Sequence, residues 1–305
     1  MYDIVVQNLT KDYGFNRGVF NISFHVSRGE IYGFLGPNGA GKSTTIRHLM
    51  GFSKPDSGKT QIFGLDTFQN YNKILHNVGY VPGEITLPVG LNGWEFIDMM
   101  KKIRKISNDE RIKELIELFE LNPDGEIKRM SLGEKRKLAI LSAFMHDPQV
   151  LILDEPTSGL DPIMQEVFIQ LLRQEKAKGK TILLSSHVFS EVEAVCDRVS
   201  IIKNGKIVDE FPMSKLKHSE DKVYQVKLEN IEEAIKLFKI MQKNSYIDDV
   251  KQDENKVYVF INDKYINNLV TDLSQFRVSD FIHEKVTLEE YFMQYYKDDI
   301  QFEGV

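Results

Sequence analysis

The sequence predicts an α/β fold. A parallel sheet is built around a phosphate-binding loop and carries an antiparallel β subdomain and an α-helical insertion, and a second, small α+β domain follows. Three observations carry this expectation. A glycine-rich loop follows a short apolar run at residues 31–35, a second apolar run at 150–153 ends in paired carboxylates, and hydrophobic periodicity restarts as a complete set of strands and helices after Pro212.

The loop reads Gly36-Pro37-Asn38-Gly39-Ala40-Gly41-Lys42-Ser43-Thr44. Its spacing wraps successive backbone N–H groups around the phosphates of ATP or GTP. The glycines at 36, 39 and 41 permit positive φ and close approach to an anion, Lys42 supplies a fixed positive charge, and Ser43 offers a hydroxyl to Mg²⁺. The run Thr44-Thr45-Ile46-Arg47-His48-Leu49-Met50 supplies the helix that such a loop requires.

Val150-Leu151-Ile152-Leu153-Asp154-Glu155, bounded by Pro148 and Pro156, is too short for a helix and reads as a buried parallel strand. At the carboxyl edge of an α/β sheet, Asp154 is placed to hold a Mg²⁺ shell and Glu155 to orient or deprotonate an attacking water. Two acids there suggest hydrolysis. In isolation, the same pair also fits a strand end facing solvent.

Between these elements lies Met130-Ser131-Leu132-Gly133-Glu134-Lys135-Arg136-Lys137, and after them come Ser158-Gly159-Leu160-Asp161 and Ser185-Ser186-His187. With the loop and the carboxylate strand, these motifs in this order resemble the nucleotide-binding subunit of ATP-binding-cassette (ABC) transporters over residues 2–212. The resemblance implies a cassette that binds ATP with Mg²⁺ and hydrolyses it. It matches Tyr13 to the aromatic that stacks on adenine, although a tyrosine near a strand end equally serves surface packing. Ser131 and Gly133 match the signature that contacts the γ-phosphate bound by the opposite subunit. Ser131 and Glu134 also form an S-x-x-E capping box, which starts a helix with its positive end available to a phosphate. His187 matches the histidine at the γ-phosphate, and Asp161 the loop that communicates across the dimer.

Two departures stand out. The signature reads Ser-Leu-Gly-Glu where Ser-Gly-Gly-Gln is commonest, so Leu132 removes a glycine and Glu134 replaces an amide. The glutamine usual after the strand that follows the phosphate loop is absent from Gly79-Tyr80-Val81-Pro82-Gly83-Glu84. There Glu84 either substitutes as a metal or water contact, or the segment only couples to a membrane partner.

Composition agrees. The 305 residues, 42% of them apolar, leave room for two cores, a cassette at 1–212 with a helical subdomain at about 85–147 and an accessory domain at 213–305. The single cysteine, Cys196, excludes an intramolecular disulfide and suits a reducing cytosol. No apolar stretch is long enough to span a membrane and the start lacks a signal peptide, so the chain is expected in the cytoplasm. The resemblance implies a place peripheral on the inner face of the membrane. A net charge of −6 disfavours a general nucleic-acid binder.

The remaining elements follow from periodicity. Residues 4–9 and 19–26 read as antiparallel edge strands. Asn92 with Glu95 and Ser107 with Glu110 read as capping boxes that open helices of the insertion, the second bearing a core stripe at Ile112, Leu115, Ile116 and Phe119. Asn204-Gly205 marks a two-residue hairpin. After Pro212 the order βαββαβ predicts a ferredoxin-like domain. A last helix, capped by Thr287 and Glu290, presents Leu288, Tyr291, Phe292 and Tyr295 on one face, expected to fold back on that domain instead of binding a partner.

By resemblance the chain is of the bacterial type in which one cassette works with separate membrane permeases, often exporting drugs, antimicrobial peptides or lipids. Its other partner is a second copy or a paralogous cassette, and ATP binding closes the pair. The alternative is a soluble ABC ATPase acting on ribosomes or DNA. One cassette per chain and the acidic balance count against it.

Overall fold

The computed structural model describes residues 1–217, 221–284 and 287–295. The chain divides into two compact units, Met1–Pro212 and Met213 onward. The outer limit expected at 305 lies outside the described residues.

The first unit opens with the hairpin β1 (Tyr2–Asp12) and β2 (Gly18–Ser27), followed by β3 (Ile31–Leu35), the phosphate loop and α1 (Lys42–Leu49). Next come β4 (Ser57–Ile62), β5 (Leu65–Asp66), α2 (Tyr71–Ile74) and β6 (Val78–Val81). The insertion supplies α3 (Gly93–Arg104), α4 (Glu110–Leu118) and α5 (Leu132–Phe144). The chain returns through β7 (Val150–Asp154), α6 (Pro162–Ala177), β8 (Thr181–Ser186) and α7 (Phe189–Val195), and ends the unit with the hairpin β9 (Arg198–Lys203) and β10 (Lys206–Pro212).

Two sheets result. One has the order β10-β9-β3-β8-β7-β6, parallel except for β10. The other, β2-β1-β4-β5, is antiparallel. Every residue of β3, β7 and β8 is buried, as befits parallel strands covered on both faces. The sheets share one core, in which Ile4, Val6 and Phe24 of the antiparallel sheet meet Tyr32, Phe34 and Ile152 of the parallel one. Phe24 and Tyr32 stack with ring centres 5.2 Å apart. Burial of each such side chain is worth about 1.5–3 kcal/mol.

This topology gathers the motifs. Strand β8 runs between β3 and β7 in parallel register, Leu35 opposite Ser186 and Ser185 opposite Asp154. The phosphate loop, the paired carboxylates and His187 therefore leave the same carboxyl edge of the sheet, the usual ligand edge of α/β folds.

In the insertion, Asn92 and Glu95 form the expected reciprocal capping box. The box expected at Ser107 does not form. The helix begins two residues later, and the Asn108 side chain takes the Glu110 N–H at 2.9 Å, because an Asx turn competes with the serine for that donor. The stripe on α4 is core, with Ile112, Leu115 and Phe119 all buried. At the last hairpin Asn204 (φ 48°) and Gly205 (φ 72°) both take the left-handed conformation that a two-residue turn demands.

The second unit contains α8 (Ser214–Lys217), β11 (Asp221–Leu228), α9 (Ile231–Met241), β12 (Ile247–Asp253), β13 (Lys256–Asn262), α10 (Ile266–Leu273), β14 (Val278–Glu284) and α11 (Leu288–Met293). Its sheet runs β12-β13-β11-β14 with every pair antiparallel, so β13 splits the β11-α9-β12 unit. The helices close one core with the sheet through Leu237, Met241 and Leu269 against Val226, Val257 and Val259. On α11 Leu288 and Phe292 are buried, and the Tyr291 hydroxyl accepts from Lys215 Nζ at 3.0 Å.

Candidate functional site

The phosphate loop leaves the end of β3 and turns at once into α1. Gly36 has no room for a side chain, since a Cβ there would lie 2.5 Å from the Ile202 carbonyl oxygen. Gly41 precedes α1 with φ 112°, and no side chain caps the helix. The first-turn amides are left to an external acceptor at the positive end of the helix dipole. Behind the loop, Gly205 N–H donates to the Ala40 carbonyl at 2.9 Å while its own carbonyl accepts from Phe20 N at 2.7 Å. The Asn204-Gly205 turn thus braces the loop against β2. Ala40 N–H in turn donates to the Pro37 carbonyl at 3.2 Å.

Lys42 is buried. Its Nζ donates to the carbonyls of Gly36 at 2.6 Å and Pro37 at 3.2 Å, and pairs with Glu155 Oε1 at 3.2 Å. Asn38, Gly39, Gly41, Lys42, Ser43, Thr44 and Glu155 line a cavity of about 120 Å³. The predicted loop and the second carboxylate are therefore brought together.

Asp154 lies one step deeper, 3% exposed, with Oδ1 accepting from the Ser185 hydroxyl at 2.5 Å. Its other oxygen faces Gly83, where a Cβ would approach to 3.2 Å. Glu155 has φ 48°, a left-handed backbone costly for a side chain of this kind, and its N–H is anchored to the Ser185 carbonyl at 2.9 Å. That twist aims the carboxylate back over the loop. Its Oε2 meets His187 Nδ1 at 3.2 Å, so Glu155 bridges Lys42 and His187.

The donor set fits a hard cation brought with phosphate. Mg²⁺ takes one or two carboxylates, a hydroxyl and phosphate oxygens, and Asp154 with Ser43 offers that combination. Among the described residues no cluster of three or more His, Cys, Asp or Glu forms an all-protein metal cage.

Other residues do not join the cavity. Ser131 begins α5 in the expected reciprocal box, its Oγ accepting from Glu134 N at 3.2 Å and its N–H donating to Glu134 Oε2 at 2.7 Å. It is exposed and does not line the cavity, and nor does Gly133, at whose α-carbon a Cβ would lie 3.0 Å from the Gly159 carbonyl oxygen. Asp161 is the N-cap of α6, accepting from Met164 N at 3.0 Å. Tyr13, 52% exposed, lies at the β1–β2 turn with Lys11 Nζ 5.7 Å from its ring centre. Glu84 follows the bend after Gly83 and is exposed outside the cavity.

Two buried groups around the site have no role in the motifs. Glu191 on α7 accepts from the Thr157 hydroxyl and from Ser186 Oγ at 3.0 Å, and Ser186 Oγ takes Val188 N–H at 2.9 Å. Burial raises the pKa of this carboxyl against the two hydroxyl donors that lower it. The second is Arg136 on α5, 2% exposed, which donates from Nε to Ser158 O at 2.9 Å, from Nη1 to Pro82 O at 2.7 Å and from Nη2 to Gly83 O at 2.8 Å. Burial lowers its pKa, opposed by the fields of Glu155 and Asp154. A signal existed, because Arg136, Ala139, Ile140 and Ala143 share one i, i+3, i+4, i+7 face and are all buried.

Comparison with known proteins decides the family. The family model described as ABC transporter matches residues 19–158. The bacitracin transport ATP-binding protein BcrA of Bacillus licheniformis is 39% identical over 237 residues, covering 77% of this chain and 78% of that protein. The chain belongs to the ABC transporter ATP-binding family. It is accordingly an ATP-binding, ATP-hydrolysing subunit of an ABC transporter. The linearmycin resistance ATP-binding protein LnrL of Bacillus subtilis is 32% identical over 274 residues, 88% of each chain. Among solved structures, an ATP-binding subunit of an ABC transporter superposes with a TM-score of 0.65 at 30% identity, over 70% of this chain and 91% of that one. A dimeric cassette bound to ADP and Pi, at 22% identity over 69% of this chain and 98% of that one, has a TM-score of 0.63 and shares the fold.

Proposed function

We propose that two copies of this cassette, or one copy and a paralogue, sandwich two ATP molecules and drive export through a separately encoded membrane permease. One observation carries the reading: Glu155 lines the cavity and bridges Lys42 and His187, while Ser131 is exposed at a helix start outside it. Such a site is complete on one side and lacks its second wall, which the partner's Ser131 and Gly133 supply.

In this reading Lys42 releases Glu155 and turns to the β- and γ-phosphates, and Tyr13 stacks on the base. Asp154 and Ser43 hold Mg²⁺, which neutralises phosphate charge when bound. Glu84 stands outside this set. Freed of Lys42, Glu155 accepts a proton from water as its oxygen attacks the γ-phosphorus. The bond to the β–γ bridging oxygen breaks, and ADP leaves with that electron pair. His187 donates to the γ-phosphate oxygens, and the loop of Asp161 lies toward the partner.

Export is favoured by the relatives, one a bacitracin transport protein and one a linearmycin resistance protein. Among the described residues no helix is long and apolar enough to cross a membrane. Membership of the transporter family supports assigning the pathway to the permease and the cassette to the inner membrane face. A groove of about 230 Å³, lined by Ile85, Leu87, Val89 and Ile127 with Lys128 and Lys135, is our choice for the permease contact. We assign residues from 213 on to an accessory, regulatory domain. Glu155→Gln keeps the shape of the side chain without its basicity. Hydrolysis should fall about 10²–10⁴-fold while ATP is retained and a dimer accumulates on size exclusion. A monomer that holds ATP at high concentration, with the permease present, excludes the sandwich. Co-purification with ribosomes or DNA in place of a membrane protein overturns the transport assignment.

A further inference from the structure

We propose that Arg136 is a positioning residue that sets where Ser131 meets the ATP held by the partner chain, by tying the start of α5 to the loop after Glu155 and to the segment leaving β6. The inference rests on the trans reading of Ser131.

The side chain is buried, and all three groups that accept its hydrogen bonds are main-chain carbonyls, at Ser158, Pro82 and Gly83. Among the described residues no carboxylate is hydrogen-bonded to it. A buried guanidinium without a direct counterion is costly, and an apolar side chain fills similar volume without that cost. What the guanidinium alone adds to the packing of α5 is to donate in one plane to acceptors from two segments of chain. One of these, at 82–83, borders Asp154: the α-carbon of Gly83 is close enough that a Cβ would touch the carboxylate at 3.2 Å. The other follows Glu155 directly, Ser158 N–H donating to the Glu155 carbonyl at 3.2 Å.

The helix start is also wedged against that second segment. A Cβ on Gly133 would lie 3.0 Å from Gly159 O, and a Cβ on Gly159 would lie 2.8 Å from Leu132 Cγ. Residues 132 and 133 therefore pack on residue 159, and Arg136, one turn further along, fixes the helix by a hydrogen bond to residue 158. Ser131 cannot shift without breaking one or the other. Because both Arg136-bound segments border the acids of this chain's own site, the position of Ser131 is referenced to that site while its hydroxyl serves the other.

The test uses two inactive full-length chains. A Ser131→Arg chain donates the phosphate loop and a Lys42→Ala chain donates the signature, so their mixture holds one composite site. Adding Arg136→Lys to the signature donor should lower MgATP hydrolysis at least tenfold. Adding it to the phosphate-loop donor should change it less than twofold, with ATP affinity by calorimetry also within twofold. Equal loss in both placements, or loss only in the phosphate-loop donor, overturns the proposal. Arg136→Gln is the second variant. If both variants lose ATP affinity at their own phosphate loop, Arg136 is a general structural brace and the inference fails. A parental mixture with no activity removes the trans reading itself, and the inference with it, before any Arg136 variant is compared.

Discussion

Helices α1 and α5 both begin where a phosphate is expected, and their ends are built in opposite ways. At α1 the residue before the helix is Gly41, without a side-chain cap, so the first-turn N–H groups await an external acceptor. At α5 the chain supplies its own capping box, Ser131 and Glu134 each taking the other's N–H. The difference separates two kinds of anion site. Where the ligand completes the cap, the site binds on its own. Where the chain has already taken two of the N–H groups, the Ser131 hydroxyl proton and the N–H groups of Leu132 and Gly133 are left to offer to an anion held elsewhere.

The largest break in this comparison is Lys42→Ala. The variant removes the charge that sits on the loop carbonyls and on Glu155. A charge-assisted contact of about 3 kcal/mol corresponds to about a 100-fold loss of ATP affinity, measurable by calorimetry. Ser131→Ala, by contrast, should leave the affinity of an isolated chain unchanged. Equal losses in the two variants would mean that the helix ends do not differ in kind.

Much of this site was legible in the sequence because it depends on local backbone chemistry. The glycine spacing at 36–41, the apolar run into Asp154, the box at Ser131 and the Asn204-Gly205 turn each state their own geometry. What was not legible is how segments meet. Arg136 shares a helical face with Ala139, Ile140 and Ala143, which signals burial, but its acceptors follow only from the return of residues 82–83 and 158 around it. Nothing in Asp154-Glu155-Pro156 announces the left-handed backbone of Glu155, which the anchor of its N–H on Ser185 imposes. The box at Ser107 failed for a local reason, a better acceptor one residue away at Asn108.

The far end of α5 supplies a smaller test. His146, just past the helix, holds the Val78 carbonyl through Nε2 at 3.2 Å, and its Nδ1 is buried without a partner. Burial first, then the positive field of Arg104, lowers its pKa to about 4. The unfolded chain takes the proton near pH 6.5, the folded chain only near 4, so stability is intact above 6.5 and falls as pH drops through that window. The gap is worth about 3 kcal/mol at most, and partial exposure leaves about 2. Denaturant melts at pH 7 and 4.5 should differ by that much, and His146→Gln should flatten the difference. An unchanged acid slope in the variant would assign the effect to other groups.

The smallest expected effect lies at the capped start of α5 itself. Glu134 completes the cap of α5 with a carboxylate, and the hydrogen bond from Ser131 N–H holds its pKa below the usual value. The charge is therefore present at neutral pH, at the helix end assigned to the partner's phosphate. The helix dipole favours it, but an incoming phosphate is repelled by it. Glu134→Gln keeps an oxygen for the Ser131 N–H and removes the charge. At about 5 Å in a solvated interface the relief is about 1 kcal/mol, or about fivefold in the ATP concentration that dimerises a Glu155→Gln chain. The gain should shrink in high salt, because the groups are exposed to screening before closure. The isolated cassette should lose about 0.5 kcal/mol of stability at the same time, since the dipole loses its counter-charge. If dimerisation needs the same ATP or more, Glu134 does not face the partner's phosphate, and the end of α5 is a helix cap and nothing else.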